Sequence, residues 1–204
     1  VLAVALRDAG DGDAAARLVR SGTTALLRGV KQRVRGAPYA TAFIVIAEDG
    51  AGPVACLVPR QAPGIGVTFT PLVDGTAAAT VTFNDVVLHP QAVIAEGDAC
   101  AQALTQAIEW TNVALSAELL GIQTALLAAT LEHIKTRRQF DQRLSDFQVL
   151  RHRAVDMFTL REMTRVVAQE AAATLASPSS TPHQRTLLAS RAKARAAGAA
   201  EKIG

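Results

Sequence analysis

The chain has 204 residues, enough for one large or two small domains, and half of them are hydrophobic, so a sizeable core can form. A formal net charge of +3, with aromatics at 4% and no basic run interleaved with them, gives no ground for a nucleic-acid partner. Cys56 and Cys100 match no metal-ligand spacing, so no metal is expected, and no apolar run is read as reaching the roughly 18 residues of a membrane span.

Residues 1–95 read as β. Apolar, β-prone runs occur at 2–6, 23–27, 42–47, 54–58, 67–70 and 79–83. Turn signals separate them at 8–13, 48–52, Pro63-Gly64 and Asp74-Gly75. Short strands at this spacing predict an antiparallel sandwich or barrel. Pro90 and the turn Glu96-Gly97-Asp98 then mark a boundary, so the expected domains are 1–97 and 98–204.

From 99 to about 136 the period becomes helical, with Leu104, Ile108, Ala114, Leu115, Leu119, Ile122, Leu126, Leu127 and Leu131 recurring at three and four. A second helix is predicted over 146–175, capped by Ser145 or Asp146, with Leu150, Ala154, Met157, Phe158 and Leu160 facing a core. Ser177-Pro178-Ser179-Ser180 is a loop. Thr181 caps a third helix whose first turn holds Pro182. Its alanine-rich stretch, 189–200, alternates with basic residues as a surface helix would. Long helices on short loops predict an antiparallel up-down bundle. The expected fold class is α+β: the β domain first, the bundle second. The chain opens in a strand-like run and stops in mid-helix, so it is expected to be part of a longer protein.

The stretch that carries chemistry is Arg137-Arg138-Gln139-Phe140, followed by Leu144 and Phe147-Gln148, at the junction of the first two helices. Arginine offers a planar fork of donors to phosphate oxygens, and glutamine can read the polar edge of a base or ribose. The next helix can turn its N-terminal amides toward an anion. This suits a flat, phosphate-bearing ligand. The plain alternative is a solvated basic turn in which Arg137 caps a helix C-terminus, worth about 0.3–1 kcal/mol.

The run from His133 through Arg137, Gln139 and Phe140, with Leu144, Phe147-Gln148 and Ala154-Val155-Asp156-Met157, resembles the acyl-CoA dehydrogenase family. The family signature there reads Tyr-x-x-x-Arg-x-Gln-Phe-Gly, then Phe-Gln, then Ala-Asp-Met. His133 stands in place of the tyrosine and Asp141 in place of the glycine. The resemblance implies that Arg137 reaches across a subunit interface to the diphosphate of a neighbour's FAD. It implies that Gln139 and Phe140 contact the same cofactor and that Leu144 and Gln148 line its adenosine end. It further implies a tetramer, a dimer of dimers, acting on an acyl-CoA thioester; whether an electron-transfer flavoprotein or oxygen accepts the electrons stays open, and the two cysteines without a signal peptide read as reduced thiols in the cytoplasm.

The β half departs further from the family. Leu6-Arg7-Asp8-Ala9, then Gly10-Asp11-Gly12-Asp13, resembles a strand ending in Thr-Glu-Pro and a Gly-Ser-Asp turn, with Arg7 in place of threonine and the loop one residue short. Gly29-Val30-Lys31-Gln32-Arg33-Val34-Arg35-Gly36-Ala37 resembles Gly-x-Lys-x-(Trp/Phe)-Ile-(Thr/Ser)-Asn-Ala. Arg33 replaces the aromatic residue near the flavin, and Arg35 replaces the small hydroxyl residue at its reactive nitrogen. Burying an unpaired arginine costs several kcal/mol. Either these arginines turn to solvent or pair with Asp8, Asp11 or Asp13, or the chain no longer holds a flavin ring of its own. On the second reading it is a partner in a heteromeric enzyme, an arrangement that some dehydrogenases of bacterial steroid degradation resemble.

No catalytic residue is named. The family's base is a glutamate, usually on a late helix beyond Gly204. In a minority it sits on the first helix, where counting back from Arg137 finds Thr111. Glu109 lies two residues away, about 200° around the helix, and is read with Glu118 as a surface or interface charge. Trp110 is read as a packing anchor. His89, His133, His152 and His183 show no ligand spacing, and Arg151 and Arg153 read as a solvated helix face. Ser116 has no His/Asp pattern around it, so a hydrolase has no support. The competing class is a non-catalytic scaffold subunit.

Overall fold

A computed structural model describes residues 1–8, 15–22 and 24–204, the side chain of Ser21 excepted. The Gly10-Asp11-Gly12-Asp13 loop and Thr23 lie outside the described residues. The chain divides into two compact units, Val1–Leu104 and Thr105–Gly204.

The first unit is an eight-stranded sheet. Its strands are β1 (Leu2–Ala5), β2 (Arg17–Ser21), β3 (Thr24–Arg35), β4 (Ala42–Glu48), β5 (Pro53–Pro59), β6 (Ile65–Pro71), β7 (Ala77–Leu88) and β8 (Val93–Glu96). They run in the order β6-β7-β3-β2-β4-β5-β8, with β1 added on β4. Most neighbours are antiparallel; β1 pairs parallel with β4. Leu27, Val34, Phe43, Val45, Val54, Val58, Val81 and Phe83 fill the core.

The strands β2 and β8 do not stand out in the sequence. In β2 the apolar pair Leu18-Val19 is flanked by Arg17 and Arg20, and a five-residue strand leaves too little alternation to read. The strand expected at 23–27 runs on to Arg35, and the one expected at 79–83 spans Ala77–Leu88. Both are interrupted by bulges, which break the two-residue period. At the second bulge, Lys31 opposes Val81 and Val34 opposes Ala79, so β3 carries one extra residue. Arg33 absorbs it with φ 54. Lys31 and Val34, three apart, therefore both face inward and are 1% exposed.

Gly29 is required by close approach. It sits at φ 127, and a Cβ there would lie 2.6 Å from the Ala15 carbonyl oxygen and from the Ala16 Cα.

The second unit is helical. It contains most of α1 (Gly97–Thr136), a two-residue-stranded hairpin β9 (Arg138–Gln139) and β10 (Gln142–Arg143), then α2 (Gln148–Ala176) and α3 (Pro182–Ile203). Thr181 caps α3 as expected: its hydroxyl accepts from the Gln184 amide at 3.2 Å, while the Gln184 side chain accepts from the Thr181 amide at 2.9 Å. For α2 the N-cap is Phe147, without a side-chain cap. Asp146 instead accepts from the Arg143 amide.

The buried faces differ from those expected. On α1 they are Glu109, Val113, Ser116, Gln123, Leu127 and Ile134, a heptad-like stripe, whereas Ile108, Ile122 and Leu126 are exposed within this chain. On α2 the buried positions are Thr164, Ala168, Ala171 and Leu175. Phe158, expected in the core, is half exposed under the Arg161 guanidinium. On α3, Ala189, Ala192, Ala196, Ala199 and Ile203 are buried, so the alanine-rich stretch is a packing seam as well as a surface. Small side chains let helix backbones approach closely, and that seam selects which face of each partner is covered.

The expectation of no membrane-length apolar run needs correction: α1 is long and apolar enough to cross a bilayer by length and composition. Its buried polar residues face α3, however. Gln123 Nε2 donates to the Ala196 carbonyl at 3.0 Å, and Glu109 accepts from the Thr186 hydroxyl. These two bonds tie α1 to α3, while Ile108, Trp110, Ile122 and Leu126 of α1 stay exposed.

Candidate functional site

The helix junction is a tight, exposed hairpin. The Arg137 amide still closes the last turn of α1 on the His133 carbonyl at 2.9 Å. Gln142 then pairs with Gln139 and Arg143 with Arg138. The two-residue turn is Phe140-Asp141, with φ 54 and 61. Two consecutive left-handed residues are what a type I′ hairpin requires, which is why glycine suits the Asp141 position. Arg138 steadies the turn by donating to the Asp141 carbonyl at 2.9 Å.

Phe140 is 86% exposed, its ring edge-on to Phe147 at 6.4 Å. A bulky aromatic in the left-handed region, held out in solvent, is strained and costly, and such positions concentrate at functional sites. Arg137, Gln139 and Gln148 are exposed as well, and Leu144 is partly buried. Gln148 opens α2, so the unsatisfied amides of that 29-residue helix lie in the same short segment. The hairpin thus brings four of the five predicted residues together at the helix junction, and α2 brings the fifth. No metal-binding cluster occurs among the described residues.

The expected partners of the sheet arginines are different ones. Asp8 takes Lys31, with Nζ 2.7 Å from Oδ1, and also accepts from the Ala16 amide at 2.8 Å. Lys31 donates in addition to the Leu6 carbonyl at 3.0 Å. Burial outweighs these contacts and lowers the Lys31 pKa from its usual value. Arg35 pairs with Asp74 at 2.6 Å, and the Thr76 hydroxyl and amide, with Arg35, hold that carboxyl below the usual carboxylate range. Arg7 and Arg33 are exposed. Asp11 and Asp13 lie outside the described residues. Lys31 does not stand out in the sequence, because Arg28, Gln32, Arg33 and Arg35 surround it in β3 and nothing in that polar run marks the one side chain turned inward.

Glu109 is not a surface charge. It is 4% exposed, bonded to Thr186, with Arg185 Nε at 4.0 Å. Thr111 is exposed and donates to the Ala107 carbonyl at 2.7 Å. Trp110 anchors no core: it is 55% exposed. Ser116 is buried and back-bonded to the Asn112 carbonyl. The histidines at 89, 133, 152 and 183 are all exposed. Cys56 and Cys100 are buried free thiols, and burial pushes Cys56 up to about 11.

A family profile described as "Acyl-CoA dehydrogenase, C-terminal domain" matches residues 100–204. A probable acyl-CoA dehydrogenase of Bacillus subtilis, YngJ, is 26% identical over 79% of this chain and 45% of its own length. The acyl-CoA dehydrogenase FadE27 of Mycobacterium tuberculosis is 29% identical over 84% of this chain and 45% of its own. Among solved structures, butyryl-CoA dehydrogenase from Megasphaera elsdenii superposes with a TM-score of 0.87 at 21% identity, covering all of this chain and 55% of that one, and so shares the fold. The chain spans about half the length of the relatives it matches. With half of its residues matched by the family profile and the sheet-then-bundle order in place, the chain belongs to the acyl-CoA dehydrogenase family.

Proposed function

We propose that this chain is a subunit of an FAD-dependent acyl-CoA dehydrogenase and supplies the interface half of a FAD site held mainly by another subunit. The single observation that carries the reading is the Arg137 hairpin, an exposed and strained loop whose Arg137, Gln139 and Gln148 side chains make no hydrogen bond or ion pair among the described residues. On this side the residues fit the cofactor. A free guanidinium fork and helix N-terminal amides suit its diphosphate, and the amide side chains and Leu144 suit its adenosine end. Bound FAD supplies the hydride acceptor for α,β-dehydrogenation of an acyl-CoA thioester.

On the sheet side the residues do not fit the flavin ring. Arg33 and the Arg35–Asp74 pair occupy the matching positions, and no step is routed through a ring bound by this chain. Thr111 and the buried Glu109 offer no base. These observations favour, as a second reading, a non-catalytic partner in a heteromeric dehydrogenase that has lost its own flavin site.

The test is Arg137→Ala in the assembled complex. The proposal predicts at least a tenfold loss of FAD affinity with an unchanged apo-protein melting temperature. Stoichiometric, tight FAD in the variant would refute it.

A further inference from the structure

The face of the sheet that carries Arg33 and Arg35 encloses a cleft of about 510 Å³, within the usual range of small-molecule pockets. Arg35, Ala78 and Thr70 lie in one cross-strand row over β3, β7 and β6. Thr80 shares that face two residues along β7, and Leu72, just past the end of β6, also lines the cleft. The floor is therefore small and apolar, with two hydroxyls, the Gln32 amide and two guanidinium groups around it. The charges are unequal. Arg35 is compensated by Asp74, whereas Arg33 has no hydrogen-bond or ion-pair partner among the described residues. Among the described residues the cleft thus carries one uncompensated positive charge. The β3 bulge presents it through a left-handed arginine.

We infer that this cleft binds a small organic monoanion, a carboxylate on an apolar body, with Arg33 gripping the carboxylate and the Ala78–Leu72 floor covering the tail. One net positive charge matches a monocarboxylate rather than a phosphate dianion, and the fork geometry of arginine suits its two oxygens. The Arg35–Asp74 pair is solvent-exposed, hence weak, and sets the selectivity by keeping the second guanidinium occupied. This inference uses residues of the first unit alone and does not rest on FAD binding at Arg137.

The test is calorimetric titration of the protein with octanoate, 1-octanol and inorganic phosphate. Saturable octanoate binding at one site per chain is expected, with 1-octanol and phosphate at least tenfold weaker. Arg33→Asn keeps a residue that tolerates the left-handed backbone and should weaken octanoate about tenfold. Asp74→Asn frees Arg35 and should tighten octanoate and raise phosphate binding more strongly. Circular dichroism confirms that both variants fold. Absent octanoate binding, equal binding of 1-octanol, or an unchanged Arg33→Asn affinity each overturns the inference.

Discussion

The amide of Leu144 donates to the carbonyl of Arg137 at 2.9 Å, and that bond closes the base of the loop bearing the candidate cofactor residues. Because the turn at its tip is two residues long, the positions of Gln139 and Phe140 follow from the register of β9 and β10. The loop thus presents its side chains from a hydrogen-bonded turn with a defined register.

Asp141 occupies a left-handed position at φ 61, where glycine has no steric cost. Asp141→Gly is therefore expected to raise stability by about 0.5 kcal/mol, read as a small increase in melting temperature, with the hairpin retained. A clear decrease would contradict the type I′ assignment.

Lys31 links Leu6, Asp8 and β3 at the base of the segment 9–14. Lys31→Met leaves the Leu6 carbonyl without this donor and should cost about 1–3 kcal/mol near neutral pH. The pH dependence has a defined sign. The folded pKa lies below the usual 10.5 because burial outweighs the pairing with Asp8. Between the two values the unfolded chain holds more protons, so the lysine's contribution to stability rises with pH toward 10.5. The wild-type advantage over Lys31→Met should widen over that window in denaturant titrations; a constant or shrinking difference would count against it.

Gly29→Ala should destabilise by about 3 kcal/mol, because a Cβ would meet the backbone of Ala15 and Ala16 at 2.6 Å and the residue sits at φ 127. Gly50→Ala is the matched control, since its Cβ would meet nothing within 4 Å although its φ is also positive. Equal losses at both sites would show that backbone conformation alone matters.

Glu109 is a packing carboxylate tying α1 to α3 through Thr186. Glu109→Gln keeps an acceptor and should leave the activity of the assembled dehydrogenase within about twofold, whereas Glu109→Ala should lower the melting temperature by removing a buried acceptor. A loss of activity of a hundredfold or more in Glu109→Gln, at unchanged stability, would make it a catalytic group.

The order of sheet then bundle, the Thr181 cap and the helix junction were legible because each rests on local signals: alternation, a capping box, a cluster of special residues at a break in period. The length of β3 was not, since the bulge at Arg33 puts Lys31 and Val34 on one face and destroys the two-residue rhythm. The buried stripe of α1 was hidden for another reason. Its face is chosen by the alanine seam of α3, so Glu109, Ser116 and Gln123 are covered while Ile108 and Ile122 are not. At the candidate site, the residue types at 137–148 could be matched one by one, but the capture of Arg35 by Asp74 depends on the β6-β7 hairpin lying beside β3, a strand order that the turn signal at Asp74-Gly75 does not give.

The most direct test of the central claim is the flavin absorbance, per chain, of the full-length protein purified alone and then co-expressed with a homologous acyl-CoA dehydrogenase chain. The account predicts a colourless protein alone and one FAD per pair of unlike chains in the complex, lost on Arg137→Ala. One tightly bound FAD per chain in the lone protein would contradict it.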